Sequence, residues 1–237
     1  MQINYPNSNG TTLIELLVAL AAGSMLIGAV YIIYIAQVRG QIAQEAALEL
    51  QQGIRSAFLK MKNEIRTAGV DPTGMAGAGI LIAKPDEFHF TRDVVDESGT
   101  GRFDGVISGP NEDIRYALNT GDLARETRRP TGNGKMNSSG LQRFLDNVDV
   151  LNFVYLDSNG QKIDDVTLQT EAGRNAIRQV QLTIVARYNY SRRGLQTGHI
   201  DNHLYRNQFG DPLVVKPFAD RNRRLKMTTT IGRRNMQ

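Results

Sequence analysis

The 237-residue sequence contains no cysteine, which excludes disulfides, thiol catalysis and thiolate metal sites together. Stability must come from packing. There is no proline between Pro6 and Pro72, so nothing in that stretch deletes a helical hydrogen bond. The Gly-x-Ser-x-Gly elbow, the Gly-x-x-x-x-Gly-Lys phosphate loop and the His-Glu-x-x-His zinc string are all missing. No catalytic residue or cofactor is therefore assigned, and an enzyme is not expected. Formal charge is absent from Leu13 to Ala36 apart from one carboxylate, Glu15, and Met1 to Asn9 hold no Lys or Arg.

What is present is an apolar run. The 24 residues from Leu13 to Ala36 span about 36 Å as a helix, against a hydrocarbon core of about 30 Å. A charge inside such a segment costs on the order of 2 to 4 kcal/mol, so Glu15 marks a function and needs a partner. Cutting the chain after Gly10 would create an α-amino group on Thr11, one helical turn from Glu15, where the uncut chain has no cation.

The string Gly10-Thr11-Thr12-Leu13-Ile14-Glu15-Leu16 and the apolar run behind it resemble the type IV pilin and type II secretion pseudopilin superfamily. The resemblance implies a peptidase cut after Gly10, methylation of Thr11 and a role for Glu15 in recruiting the subunit to a helical filament. Ser24 and Gly28, small residues four apart, are a weaker candidate for close helix packing. The chain departs from the family in its non-aromatic first mature residue, its leader without basic residues, the missing helix-kinking proline and the missing C-terminal disulfide. Basic Arg39, Arg55, Lys60 and Lys62 follow the span, against the positive-inside rule, so orientation rests on the resemblance.

Past Ala36 the apolar positions Val38, Ile42, Ala46, Leu50, Ile54, Phe58, Met61, Ile65 and Ala68 form one stripe. One helix is predicted from about Thr11 to Ala68, ended by Gly69 and Asp71-Pro72, with Gly40 and Gly53 as points of bending. The pattern then changes to period two. Strands are predicted at 79–83, 87–91, 113–118, 123–127, 148–156, 180–187 and 225–231, with a hairpin about Asn119 to Asp122 and a loop from Pro130 to Gly140. Alternation in 180–187 predicts a sheet packed on one face, and Asn189 to Asn222 is a long polar excursion. The fold class is α+β, a long N-terminal helix on an antiparallel β-sheet. Its divisions are a leader (1–10), a transmembrane and filament-core half-helix (11–36), an amphipathic half-helix (37–68) and a globular β-rich domain (69–237). The tracts Glu64-Ile65-Arg66-Thr67-Ala68-Gly69, Val150-Leu151-Asn152-Phe153-Val154-Tyr155 and Arg223 to Thr230 with Arg234-Asn235 are most similar to PilW-type minor pilins.

Charge is uneven. Lys216 to Gln237 carries +6, leaving the preceding residues at −2, and the expected reading is a solvated face of the last strand. Asp93, Asp96, Glu97 and Asp104 could offer oxygens to calcium, but their spacing is not that of an EF-hand and a solvated loop is the favoured reading. His199 and His203 flank Asp201 in a context too irregular for a shared metal, and His89 is expected to face solvent. The resemblance implies a structural minor pilin that primes or tips a type IV pilus, or alternatively a J-like pseudopilin of type II secretion. Its implied partners are prepilin peptidase, other major and minor pilins, the pilus assembly platform and inner-membrane lipid before assembly. Its implied location is the bacterial inner membrane, single-pass, with a periplasmic C-terminal domain, and then the pilus. The rival class is a membrane-anchored domain that never polymerises and meets a ligand such as DNA, which is not the expected partner.

Overall fold

The computed structural model describes residues 12–94, 103–130, 136–188 and 200–233. The first element is a helix, α1 (Leu13–Ile65). Two compact units divide at Glu45 and Ala46, and each is described by itself.

In the first unit α1 is apolar and open: none of its most apolar 18-residue window is buried. Leu13, Leu16, Leu20, Ile27 and Ile33 are exposed.

In the second unit the predicted stripe is real from Ala46 onward. Ala46, Ile54, Ala57, Met61 and Ile65 are buried, as the 3.6-residue period requires. The helix stops where Gly69 takes a left-handed φ of 74°, a conformation that costs glycine little. Gly53 does not interrupt the helix. A Cβ there would lie 3.0 Å from the Leu145 side chain, so this glycine provides close approach in place of the expected bending.

Beyond the helix come β1 (Ile80–Ala83), β2 (Glu87–Thr91), β3 (Asp113–Asn119), β4 (Asp122–Pro130), β5 (Met136–Ser138), β6 (Gln142–Leu145), β7 (Val148–Leu156), α2 (Glu171–Asn175), β8 (Gln179–Arg187) and β9 (Arg224–Gly232). They form two antiparallel sheets. One runs β1-β2-β3-β4-β5 with β6 also on β4, and the other runs β7-β8-β9. The β3–β4 hairpin closes on Thr120 and Gly121, both at positive φ (49° and 81°), the geometry whose twist suits a two-residue connection. β5 falls in the predicted 130–140 loop and β6 follows it. Both are too short, at three and four residues, to show an alternation to read.

The core lies between α1 and the inner faces of the sheets: Ile54, Met61 and Ile65 join Phe88, Phe90, Ile114, Phe153, Leu182, Ile184 and Ile231. Phe88 ties the sheets together, with ring centroids 5.6 Å from Phe153 and 5.5 Å from Tyr155. Pairs at this spacing add about 0.5–1.5 kcal/mol each beyond burial.

Three expectations are corrected. β8 is not packed on one face only: Gln181, Thr183 and Val185 are buried as completely as Leu182 and Ile184. Residues 200–222 of the polar excursion supply the cover, setting Tyr205, Leu213, Val214 and Phe218 against Val150 and Val185. Nor are the basic residues near the end a solvated face as a group. Arg224 has a side chain only 1% exposed, and half-buried Arg233 donates to the Ala68 carbonyl at the helix end (3.0 Å) and to that of Ile177 (2.8 Å). Burial and then the nearby Arg178 push Arg233 down to about 10. Finally, His89 is buried, with Nε2 2.6 Å from Asp113 Oδ1. It belongs to a polar ladder in which Arg115 links Glu87 and Glu126, and Arg128, Ser138 and Arg115 hold Glu126 down at about 2 against the opposing effect of its burial.

Candidate assembly site

The start of α1 is closed by its own side chains. Glu15 Oε2 accepts from the Thr12 backbone N–H (2.9 Å) and hydroxyl (3.2 Å), and the Thr12 hydroxyl oxygen accepts from the Glu15 N–H (3.3 Å). This is a capping box, in which N-cap threonine and the third helical residue satisfy each other's otherwise unpaired N–H groups. The carboxylate also sits at the positive end of the helix dipole. Glu15 thus has two hydrogen-bond donors, neither of which is a cation. The spacing Thr12-x-x-Glu15 was the available signal. Gly10 and Thr11 lie outside the described residues.

Behind the cap, the Ser24 hydroxyl donates to the Ala21 carbonyl at 2.8 Å, satisfying it within the helix. A Cβ on Gly28 would meet nothing within 4 Å. Both positions are exposed, leaving a small notch on an open apolar surface. A contiguous apolar surface of this extent marks a membrane or a protein interface.

Of the four acids considered for calcium, Asp96 and Glu97 lie outside the described residues. Asp104 is exposed and accepts from the Val106 N–H at 3.0 Å. Asp93 departs from the solvated-loop reading, because it is fully buried. Its Oδ2 accepts from the Gly105 N–H at 3.1 Å, whereas its Oδ1 has no partner among the described residues. The neighbouring Glu112 carboxylate takes the N–H groups of Val94, Ser108 and Gly109. Among the described residues no group of three or more potential ligands could hold a metal. Burial first, and then Glu112 and Asp104, raise the Asp93 pKa.

A raised carboxyl makes the folded state bind more protons than the unfolded one, so its destabilising effect grows as pH rises through the folded value. Asp93→Asn, which keeps an acceptor for Gly105 and removes the charge, should stabilise the protein at neutral pH. The gain should shrink as pH falls through the acid range. Thermal unfolding of both proteins at pH 7 and pH 4 checks this, and a destabilised variant at pH 7 contradicts it.

His199 lies outside the described residues. The His203 ring packs edge-on against Tyr205 at 4.9 Å, while Asp201 is taken by Tyr205 and Arg224. A packing role is what the geometry provides.

Two polar centres escaped the pattern reading. Glu64, on the buried stripe of α1, accepts from the Tyr116 hydroxyl (2.5 Å) and from Arg125 Nε (3.0 Å) and Nη2 (2.9 Å). Burial pushes this carboxyl up, yet Arg125 and Tyr116 together outweigh it and leave the pKa lowered. In turn, burial and the adjacent Glu64 raise the Tyr116 phenol. Its signal was a charge at a helical position flanked by Met61, Ile65 and Ala68. The second centre is Arg224, which spans Asp149, Asp201 and Asp220 with its guanidinium 3.7 Å above the Phe218 ring. No spacing pointed to it.

Comparison with known proteins gives three findings. Residues 5–31 match the family model described as the prokaryotic N-terminal methylation motif. No curated protein matches the chain. Among solved structures, a type IV-like pilin from Thermus thermophilus is similar with a TM-score of 0.49 and 13% identity, over 78% of this chain and 96% of that one.

Proposed function

We propose that this chain, a type IV pilin superfamily protein by its N-terminal methylation motif, is cut after Gly10, methylated on Thr11 and built into a filament as a minor pilin. The observation that carries the reading is Glu15: the only charge in a 24-residue apolar run, five positions past the glycine, inside the matched motif. Before assembly the run lies in the inner membrane with the C-terminal domain in the periplasm. In the filament, neighbouring helices replace lipid around the apolar face, and the new amine pairs with Glu15. An unpaired carboxylate there would cost several kcal/mol, so pairing sets register. The chain acts as a structural partner of prepilin peptidase, other pilins and the assembly platform. The PilW-like tracts favour a type IV pilus over a secretion pseudopilus, and mass spectrometry of sheared filaments for this subunit and its companions distinguishes the two.

The capping box sharpens the test. Glu15→Gln keeps an acceptor for Thr12 but removes the charge, whereas Thr12→Ala keeps the charge and removes the cap hydroxyl, at a cost of about 1 kcal/mol. Full-length Glu15→Gln should be cut and exported yet excluded from filaments, and Thr12→Ala should still enter them. Entry of Glu15→Gln at wild-type frequency would refute the pairing mechanism, and retention of Met1 in natively expressed protein would refute the processing.

A further inference from the structure

The open edge of the β7-β8-β9 sheet is built differently from the other strand edges. β1 has four residues and a register shift, and β5 has three. The outer edge of β7 is already used, since the Phe153 N–H donates to the Pro85 carbonyl and the Tyr155 carbonyl accepts from the Ile163 N–H. In contrast, β9 has nine residues, contains no proline and pairs with β8 in one unbroken register. Folded proteins usually shorten, bulge or cover such edges.

The hydrogen-bond phase of β9 follows from its two ends. The Tyr188 N–H donates to the Arg223 carbonyl, and the Arg233 N–H donates to the Arg178 carbonyl. Narrow pairs recur every second residue in an antiparallel ladder, so Leu225, Met227, Thr229 and Ile231 turn their backbone groups to β8. Lys226, Thr228, Thr230 and Gly232 turn theirs outward. Among the described residues β9 pairs only with β8, and these four make no other backbone hydrogen bond. A row of alternating donors and acceptors at strand spacing is matched by another strand.

Side chains specify what that strand carries. On the inner face, Leu225 and Met227 pack on the core but are only partly buried, which leaves apolar surface for a neighbour to cover. On the outer face Lys226 is exposed, and beside it lies exposed Arg206, whose carbonyl accepts from Lys226 Nζ at 2.9 Å; neither side chain is paired with a carboxylate among the described residues. A second copy would bring two such basic clusters together, and like charges disfavour that pairing.

We propose that the outer edge of β9 docks an extended segment of a partner protein, apolar on the side facing Met227 and acidic on the side facing Lys226. This site is independent of Gly10 cleavage and Glu15 pairing. Its test uses the full-length chain in detergent micelles and two nine-residue peptides, one alternating valine with glutamate and the other valine with lysine. The glutamate peptide should bind about tenfold tighter or better and slow amide hydrogen exchange at Lys226, Thr228, Thr230 and Gly232. Lys226→Glu should reverse the preference. Thr230→Pro, which deletes an outward N–H and leaves the β8 ladder intact, should abolish binding with the thermal midpoint nearly unchanged. Equal binding of the two peptides, absent protection, slow exchange at these amides in the chain alone, or dimerisation through the same amides would each overturn the proposal. If Thr230→Pro unfolds the chain, the peptide preference and its reversal by Lys226→Glu still decide.

Discussion

Replacing Glu64 by alanine is expected to destabilise the second unit by about 3–5 kcal/mol, the usual consequence of removing one partner from a buried ion pair. The variant would leave the Arg125 guanidinium beside the sheet with only Asn111 among its present side-chain acceptors (2.9 Å), and the Tyr116 hydroxyl with none. Exposed ion pairs contribute far less, about 0–1 kcal/mol, but Glu64 is only 3% exposed. Urea unfolding of the full-length chain in mild detergent, followed by circular dichroism, measures the effect. A loss under about 1 kcal/mol would show that Arg125 finds water instead. The double variant Glu64→Leu, Arg125→Leu should recover much of the loss, since an apolar replacement of both partners strands no charge. The same carboxylate sets a pH dependence. Its pKa is lowered from 4.5 on folding, so the stability it contributes is present above the unfolded value and lost as pH falls through the folded one.

Arg224→Met should release residues 200–222 from the outer face of β8. The substitution keeps an apolar stem over Phe218 but leaves Asp149, Asp201 and Asp220 converging without their shared cation, an arrangement again expected to cost about 3–5 kcal/mol. Arg187 still reaches Asp149, so Asp201 and Asp220 bear most of the change. Limited proteolysis and hydrogen exchange should show new cleavage and lost protection across residues 200–222, while β2, β3 and α1 from Ala46 keep theirs. Unchanged protection there would mean that Tyr205, Leu213 and Val214 hold the segment without the charge centre. Acid should mimic the variant. Arg224 holds Asp220 far below its ordinary value, and for Asp201 the His203 N–H and Arg224 outweigh burial and lower the pKa too. Their contribution is therefore complete above the normal carboxylate range near 4 and disappears only below it.

Local pattern made much of the architecture legible. The stripe from Ala46 to Ala68 needed only helical spacing, β9 only alternation, and β7 only a largely apolar run closed by the turn residues Asp157-Ser158-Asn159-Gly160. The Thr12-to-Glu15 cap also rests on a local spacing, Thr-x-x-Glu at the head of the apolar run. β8 misled because alternation in sequence reports chemistry, not cover: Gln181 and Thr183 look solvent-facing until residues 200–222 are folded across them. Arg224 could not be anticipated, since its acids come from positions 149, 201 and 220.

Spacing within a few positions was enough to read the apolar run, its single carboxylate and most of the helix and strands, because periodicity is a local property. The folded chain was needed to see that Glu64 is clasped by Arg125 and Tyr116, that the final basic stretch divides between buried struts and exposed charge, and that among the described residues one edge of β9 has no strand partner. Those outcomes depend on which distant surfaces meet, and burial changes the energy of a charge far more than its neighbours in the chain do.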